Sequence, residues 1–289
     1  MSRNPAGFQV NLNIQTKFLL STSGSQSSIE KHNKALQQIK ANLVYFTLAD
    51  DITPEVYAGL LKSPMVRGAA VTGKGGLKST IIPYLDEVEP LAKKTLAVNT
   101  VVNKAGKLYG YNTDAFGLKT ALQNGIAEAG YEIRTAVIYG NGGVSGVAYH
   151  VLRELGIQAT FVGRSQERVM QKRRELGLEH IAHFKGPYDL VVDATPISSD
   201  PDFLQAAHFA DILAGCKMVF CHNMPEKDNK TNYLQQYCAD HHLYYVPGKW
   251  MYNAQLVKQY QLYLDGYTKA DDGTTPVSEN DILSAWDLY

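Results

Sequence analysis

The stretch Thr135-Ala136-Val137-Ile138-Tyr139-Gly140-Asn141-Gly142-Gly143-Val144 decides the fold. Its first five residues are β-branched, aromatic or small and read as a buried strand. A glycine-rich turn follows at once. Val144, Val147, Ala148, Val151, Leu152 and Leu155 then recur at offsets 0, 3, 4, 7, 8 and 11, the spacing of one buried helical face. Gly156 is placed to end that helix. A strand, a glycine turn and a helix in this order let backbone N–H groups approach a pyrophosphate at a helix N-terminus. Ser145 holds the third small position of the fingerprint and permits close helix–strand packing. Gly140, Asn141, Gly142, Gly143 and Val144 are therefore candidate dinucleotide-binding residues.

Working outward, further short runs read as strands: Lys17–Leu20, Leu43–Leu48, Gly68–Val71, Ala159–Val162, Leu190–Asp193, Met218–Cys221 and Leu243–Val246. Helical segments separate them, and such alternation implies a parallel sheet covered on both faces. The fold expected is α/β with two domains, an N-terminal α/β substrate domain and a Rossmann-type doubly wound domain. The substrate domain takes residues 1–112 and is completed by helices in 248–289. The dinucleotide domain takes 113–247, beginning with a bridging helix over Thr113–Gly125. Trp250–Leu264 reads as a helix. Ser278 and Asp281 form a capping box before a short helix carrying Ile282, Leu283 and Trp286, which covers this chain or a partner subunit.

The 289 residues are 45% hydrophobic and 19% charged, a globular composition that excludes a disordered chain. Lys+Arg and Asp+Glu are 28 each, so a large basic field for nucleic acid or an anionic membrane is not expected. No apolar run reaches the roughly 18 residues that span a bilayer, and Met1–Phe18 lacks a signal-peptide core. Three cysteines make no disulfide framework, which points to the reducing cytoplasm. Cys238, His241 and His242 offer too few ligands on one face for zinc, and no metal is expected.

The strand Ala159–Val162 decides between coenzymes. An NAD site usually places a carboxylate at its end to hold the ribose 2′-OH. Here Gly163-Arg164-Ser165 follows, with Arg168 one turn on. Two guanidinium groups and a hydroxyl suit a 2′-phosphate, so the cofactor expected is NADP(H).

Ala97-Val98-Asn99-Thr100, Gly110-Tyr111-Asn112-Thr113-Asp114, Gly140-Asn141-Gly142-Gly143, Gly163-Arg164-Ser165, Asp193-Ala194-Thr195-Pro196 and Gly248-Lys249-Trp250-Met251 with Gln255 occur in this order. Together they resemble the shikimate/quinate dehydrogenase family, over about Ser21–Leu264. Family members carry Ala-Val-Asn-Thr, Gly-x-Asn-Thr-Asp, Gly-x-Gly-Gly, Asn-Arg-Thr, Asn-Ala-Thr-Pro and a late Gly-x-x-Met with a Gln. The resemblance implies an NADP-dependent oxidoreductase that interconverts 3-dehydroshikimate and shikimate, in a cleft between the domains. It implies a catalytic Lys–Asp pair at Lys78 and Asp114. Asn99 and Gln255 would bind ring hydroxyls, with Thr72, Ser28 and Gln26 also facing substrate. Thr195 and Gly248 would join the coenzyme site. The partner expected is a small cyclic hydroxy acid, and the assembly a monomer or homodimer.

Three strings depart from the family. Asn-Val-Thr-x-Pro-x-Lys is here Ala70-Val71-Thr72-Gly73-Lys74-Gly75-Gly76-Leu77-Lys78, which leaves Lys74 as a rival to Lys78. The carboxylate clamp Ser-x-Ser-Pro becomes Gln26-Ser27-Ser28-Ile29, in a register set by His32-Asn33. Tyr-x-Pro-x-x-Thr becomes Met224-Pro225 and a stretched Glu226–Thr231. These changes leave open a quinate or other ring-acid dehydrogenase, or a non-catalytic dinucleotide-binding protein. His32 is expected to be structural, and Tyr244, Tyr245, Tyr260 and Tyr263 to pack.

Overall fold

The computed structural model describes residues 12–48, 52–72, 76–178, 185–225, 229–268 and 275–288. Packing divides the chain into two compact units, Met1–Thr113 with Val257–Tyr289, and Asp114–Leu256.

The first unit holds strands β1 (Lys17–Ser21), β2 (Leu43–Thr47), β3 (Val66–Ala70), β4 (Glu87–Val88), β5 (Thr100–Lys104) and β6 (Lys107–Tyr111). Helices α1 (Gln26–Gln38), α2 (Pro54–Leu61), α3 (Leu77–Thr80) and α4 (Pro90–Thr95) connect them. The sheet order is β2-β1-β3-β5-β6-β4. β1 runs parallel to β2 and β3, but β5 is antiparallel to both β3 and β6. The wholly parallel expectation is corrected here: this sheet is mixed. The β5–β6 pair is joined by a two-residue hairpin in which Ala105 (φ +53) and Gly106 (φ +88) both take the left-handed conformation that such a turn requires. Asn103 Oδ1 accepts the Gly106 N–H at 2.8 Å and tightens it.

The second unit begins on α5 (Thr113–Ala129) and runs β7 (Thr135–Tyr139), α6 (Gly143–Glu154), β8 (Gln158–Val162), α7 (Gln166–Glu175), β9 (Leu190–Asp193), α8 (Phe209–Leu213), β10 (Met218–Cys221), α9 (Tyr233–Asp240), β11 (Tyr244–Pro247) and α10 (Gly248–Tyr263). Its five strands are all parallel, in the order β11-β10-β9-β7-β8. Every residue of β9 and β10 is buried, as expected of strands covered on both faces. Val147, Ala148, Val151 and Leu152 bury the predicted face of α6, and Gly156 (φ +76) stops it. From β7 the chain steps to β8 on one side and returns to β9 on the other. The ends of β7 and β9 thus form the switch point at which doubly wound sheets bind ligands.

The last half of α10 and α11 (Glu279–Trp286) return to the first unit. The Ser278–Asp281 capping box is present. Trp286 is fully buried by its own chain: its ring lies 4.0 Å from that of Tyr260, and Nε1 donates to His32 Nδ1 at 3.0 Å. An indole N–H only donates, so Nδ1 carries the lone pair and His32 is the Nε2–H tautomer. Burial, helped by Lys31, lowers the His32 pKa to about 4, and the ring is a neutral structural acceptor. Among the described residues no helix is long and apolar enough to cross a membrane.

Candidate active site

The glycine turn lies at the switch point. Gly140 has φ +120, which disfavours any side chain, and a Cβ there would fall 2.8 Å from Thr195 Cγ2 and 3.2 Å from the Ala194 carbonyl. Cβ atoms at Gly142 or Gly143 would meet nothing within 4 Å, so the backbone lies open on that side. Gly142 is the N-cap of α6, and no side chain caps the helix. Ser145 is buried and donates to the Gly142 carbonyl at 2.5 Å, which ties the turn to the helix. This is an uncapped, dipole-positive helix end beneath a cradle that a Cβ would face. Such a cradle fits a pyrophosphate.

β8 ends beside it. Gly140 N donates to the Val162 carbonyl at 2.9 Å, and a Cβ on Gly163 would lie 4.0 Å from Gly140 N. Arg164 and Arg168 are exposed. The positive charge of Arg164 reaches the Tyr139 phenol, whose pKa is nonetheless raised because burial dominates. Ser165 is the N-cap of α7, accepting the Arg168 N–H at 3.4 Å. Its hydroxyl hydrogen remains a donor. Residues 162–166 contain no carboxylate, and Glu167 is the first acid on α7. These residues fit a 2′-phosphate better than a 2′-hydroxyl.

Asp193 ends β9 at this same edge, fully buried. Its Oδ1 accepts from Thr195 N (3.0 Å) and Thr195 Oγ1 (2.6 Å), and its Oδ2 from Cys221 Sγ (3.6 Å). Burial drives its pKa up to about 7. Sequence reading gave Asp193 no role, because nothing local shows that its carboxyl is buried. Gly248 is buried where α10 starts; a Cβ there would lie 2.6 Å from the His222 carbonyl and 2.7 Å from that of Cys221.

Asp114 and Gln255 belong to the second unit. Asp114 sits in the first turn of α5, half-buried, at the end favourable to a carboxylate. Gly117, three residues on and on the same helical face, has no room for a side chain: a Cβ would land on the Met251 carbonyl and 2.8 Å from Gln255 Cβ. Gly117 thus lets α10 cross α5 closely, which brings the half-buried Gln255 to the Asp114 face.

In the first unit Asn99 is 5% exposed, and its amide is already engaged. Oδ1 accepts from Thr113 N at 2.8 Å and Thr100 Oγ1 at 2.9 Å, and Nδ2 donates to Thr113 Oγ1 at 2.9 Å. Gln259 Nε2 donates to Thr100 Oγ1 at 2.8 Å. Asn112 is fixed by Thr95 Oγ1 (2.8 Å) and by Glu89, whose Oε1 accepts the Asn112 N–H. Burial raises the Glu89 pKa, against that N–H and the charge of Lys258. Lys78 lies in α3, half-buried, and its carbonyl accepts the Val98 N–H at 2.8 Å, which ties its backbone to the Asn99 string. Lys74, with Gly73 and Gly75, lies outside the described residues. Thr72 N donates to Thr22 Oγ1 at 2.9 Å, and the two hydroxyls are 2.9 Å apart. Ser25 is the N-cap of α1 and accepts the Ser28 N–H at 3.2 Å, while Gln26 donates to Glu30 at 3.0 Å. Glu89, Thr113, Gly117 and Asp193 are the residues that sequence reading missed. Each acts through a tertiary contact, and only the Gly117 position, three after Asp114, carried a local signal. Among the described residues no group of three or more His, Cys, Asp or Glu could hold a metal.

No protein-family model matches the chain. A Bacillus anthracis protein named shikimate dehydrogenase (NADP(+)) is 35% identical over 193 residues, covering 62% of this chain and 67% of that protein. One of the same name from Bacillus cereus is 33% identical over the same coverage. Among solved structures, a shikimate 5-dehydrogenase-like protein superposes with a TM-score of 0.73 at 21% identity, over 96% of this chain and 99% of its own. The Thermus thermophilus shikimate 5-dehydrogenase, solved with NADP(H) and shikimate, gives 0.68 at 22% identity, over 94% and 98%. At these identities the solved structures speak to the fold, which is the α/β arrangement described above. The sequence relatives, aligned over two thirds of their length, settle the family: this chain belongs to the shikimate dehydrogenases.

Proposed function

We propose that the chain interconverts 3-dehydroshikimate and shikimate as an NADP-dependent oxidoreductase acting on a CH–OH group. The observation that carries the coenzyme choice is the end of β8, where Arg164, Ser165 and Arg168 stand and no carboxylate does. Bound at the glycine turn, NADPH supplies the hydride that reduces the ketone. Gly140–Val144 hold the pyrophosphate with backbone N–H groups and the α6 dipole. Arg164, Arg168 and Ser165 hold the 2′-phosphate. Thr195 and Gly248 line the same coenzyme site.

Lys78 delivers the proton to the carbonyl oxygen, and Asp114 is the carboxylate that supports it. Gln255 and Asn99 orient ring hydroxyls, with Thr72. Ser28 and Gln26 take the ring carboxylate at the first turn of α1. Because Asn99 Oδ1 and Nδ2 are held by Thr113 and Thr100, Asn99 presents its remaining amide hydrogen at low entropic cost. A second ring acid, such as quinate, is the alternative, because Ala70, half-buried at the end of β3, stands where the family carries an amide and alters the pattern of ring-hydroxyl contacts. The three cysteines are unpaired and buried, and the compartment proposed is the reducing cytoplasm. The enzyme acts as a monomer or homodimer on small molecules, without nucleic acid.

Loss of NADPH absorbance on adding 3-dehydroshikimate tests this reading, with 3-dehydroquinate run beside it. Turnover of either ketone is expected with NADPH in preference to NADH. A protein that binds NADPH and reduces neither would be a non-catalytic dinucleotide-binding member of the fold.

A further inference from the structure

We propose that Asp193 makes coenzyme binding at the Gly140–Gly143 turn take up a proton, which the Asp193 carboxyl receives. The inference rests on the reading that this turn holds NADP(H).

The geometry has three parts. The carboxyl is fully buried at the end of β9, level with Tyr139 on β7 and Cys221 on β10 in the sheet register. It lies one side chain beneath the turn. Oδ1 holds both the N–H and the hydroxyl of Thr195, and the Thr195 methyl packs against the position a Gly140 Cβ would take, 2.8 Å away. Finally, all its partners are neutral donors, and no cation pairs with it among the described residues. The titratable groups around it are Tyr139 on β7, Cys221 and the following His222 on β10, and Tyr245 on β11, which reaches Cys221. Arg164 and Asp193 both act on the Tyr139 phenol, with opposite sign.

A carboxylate so placed meets the negative charge of an incoming pyrophosphate at short range and low dielectric. Arrival of that charge favours the neutral acid, and one proton moves from solvent to Oδ2. Oδ1 stays the acceptor for Thr195. The new Oδ2–H then donates to Cys221 Sγ, and the thiol hydrogen turns to the Asn223 carbonyl, already 3.6 Å from Sγ. No Thr195 bond is lost, so the floor under the turn keeps its shape while its charge changes. Burial has already raised this carboxyl to about 7, which sets the exchange near neutrality. The family string quoted above has Asn here, an uncharged isostere.

The experiment is NADPH binding to the whole chain by calorimetry between pH 7 and 9, in two buffers of different ionisation enthalpy. This range avoids the 2′-phosphate itself, with a second pKa of about 6. Wild type is expected to take up a fraction of a proton, up to one, and to lose about three- to tenfold in NADPH affinity per pH unit over part of this range. Asp193→Asn is expected to bind with a flat profile and no uptake. Equal slopes and equal proton counts in the two proteins would overturn the proposal. If Asp193→Asn does not fold, an infrared difference spectrum of wild type at pH 8, with and without NADPH, decides: a new protonated-carboxyl band supports the proposal, and its absence overturns it. Failure of wild type to bind NADPH at any pH would overturn the reading of the turn, and this proposal with it.

Discussion

Gly117→Ala tests how the α5–α10 crossing serves the site. In an ordinary helix this change stabilises by about 1 kcal/mol, because Ala is the better helix former. Here the added methyl would land on the Met251 carbonyl and stand 2.8 Å from Gln255 Cβ and 3.0 Å from Gln255 N, where ordinary contact begins at 3.4 Å. Two of these atoms are backbone, so no rotamer relieves the clash, and α10 must retreat by roughly an ångström. Overpacking of this kind costs about 1–3 kcal/mol. Less the helix gain, the net loss is about 0–2 kcal/mol, a fall in Tm of at most roughly 8 °C for a unit of this size. The larger effect falls on function. A displacement of about 1 Å between Gln255 and the Asp114 face is enough for about a 100-fold loss in turnover efficiency. Steady-state kcat/KM for the ring acid, NADPH affinity and Tm are measured together. The expected result is a kcat/KM down about two decades with NADPH affinity within about threefold. Gly59→Ala, in α2 with nothing within 4 Å of its added carbon, is the control and gains about 0.5–1 kcal/mol without kinetic change. Unchanged kcat/KM in Gly117→Ala would refute the view that this crossing positions the site.

Arg164→Ala is expected to weaken NADPH by about one to two decades, from loss of a charge-assisted contact worth about 1.5–3 kcal/mol, and NADH by much less; equal losses would move Arg164 away from the 2′-phosphate. Asp114→Asn is expected to collapse kcat and keep NADPH affinity within about tenfold, since Asp114 is assigned to the proton donor. Lys78→Met should be dead in the same assay while Lys74→Met is active, and the reverse outcome would exchange their roles. The His32 pKa falls from 6.5 in the unfolded chain to about 4 in the native one, so the native state resists protonation that the unfolded state accepts. Its stability contribution is present above pH 6.5 and lost as pH falls to 4, on the order of 3 kcal/mol. Urea unfolding at pH 7 and 4.5 should show this slope flattened in His32→Gln, and an unflattened slope would assign it to other groups.

The second unit was legible because its signals are local. β7, β9 and β10 run over the residues their β-branched runs predict, and the α6 stripe and Gly156 bound their helix. The first unit was read less well. Its β5–β6 hairpin turns at Ala105-Gly106, and Ala in the left-handed region gives no warning where Asn or Asp would. Without that hairpin, alternation alone suggested a parallel sheet. β11 came one residue late, at Tyr244–Pro247, since a paired Pro at a strand end reads as a breaker. The site divides in the same way. The glycines and arginines proposed for phosphate are picked out by their position after a strand. The burial of Asp193, the hold of Thr113 on Asn99, and the hold of Glu89 on Asn112 depend on which distant strands and helices meet, and no window of sequence contains that.

The pairing of His32 with Trp286 spans 254 residues. At a synthesis rate of roughly 5–20 residues per second, His32 leaves the ribosome about 13–50 s before the indole that covers it. Over that interval the contiguous second unit emerges whole and can collapse on its own sheet, whereas the first unit waits with the α1 face beside Tyr45 unsealed. The order of maturation is thus the reverse of the order of translation: the unit that starts the chain is the last to close. Pulse proteolysis of released chains truncated near residue 270 would then spare 114–256 and cut within 12–113, and protection of both would place the sealing of the first unit before the tail arrives.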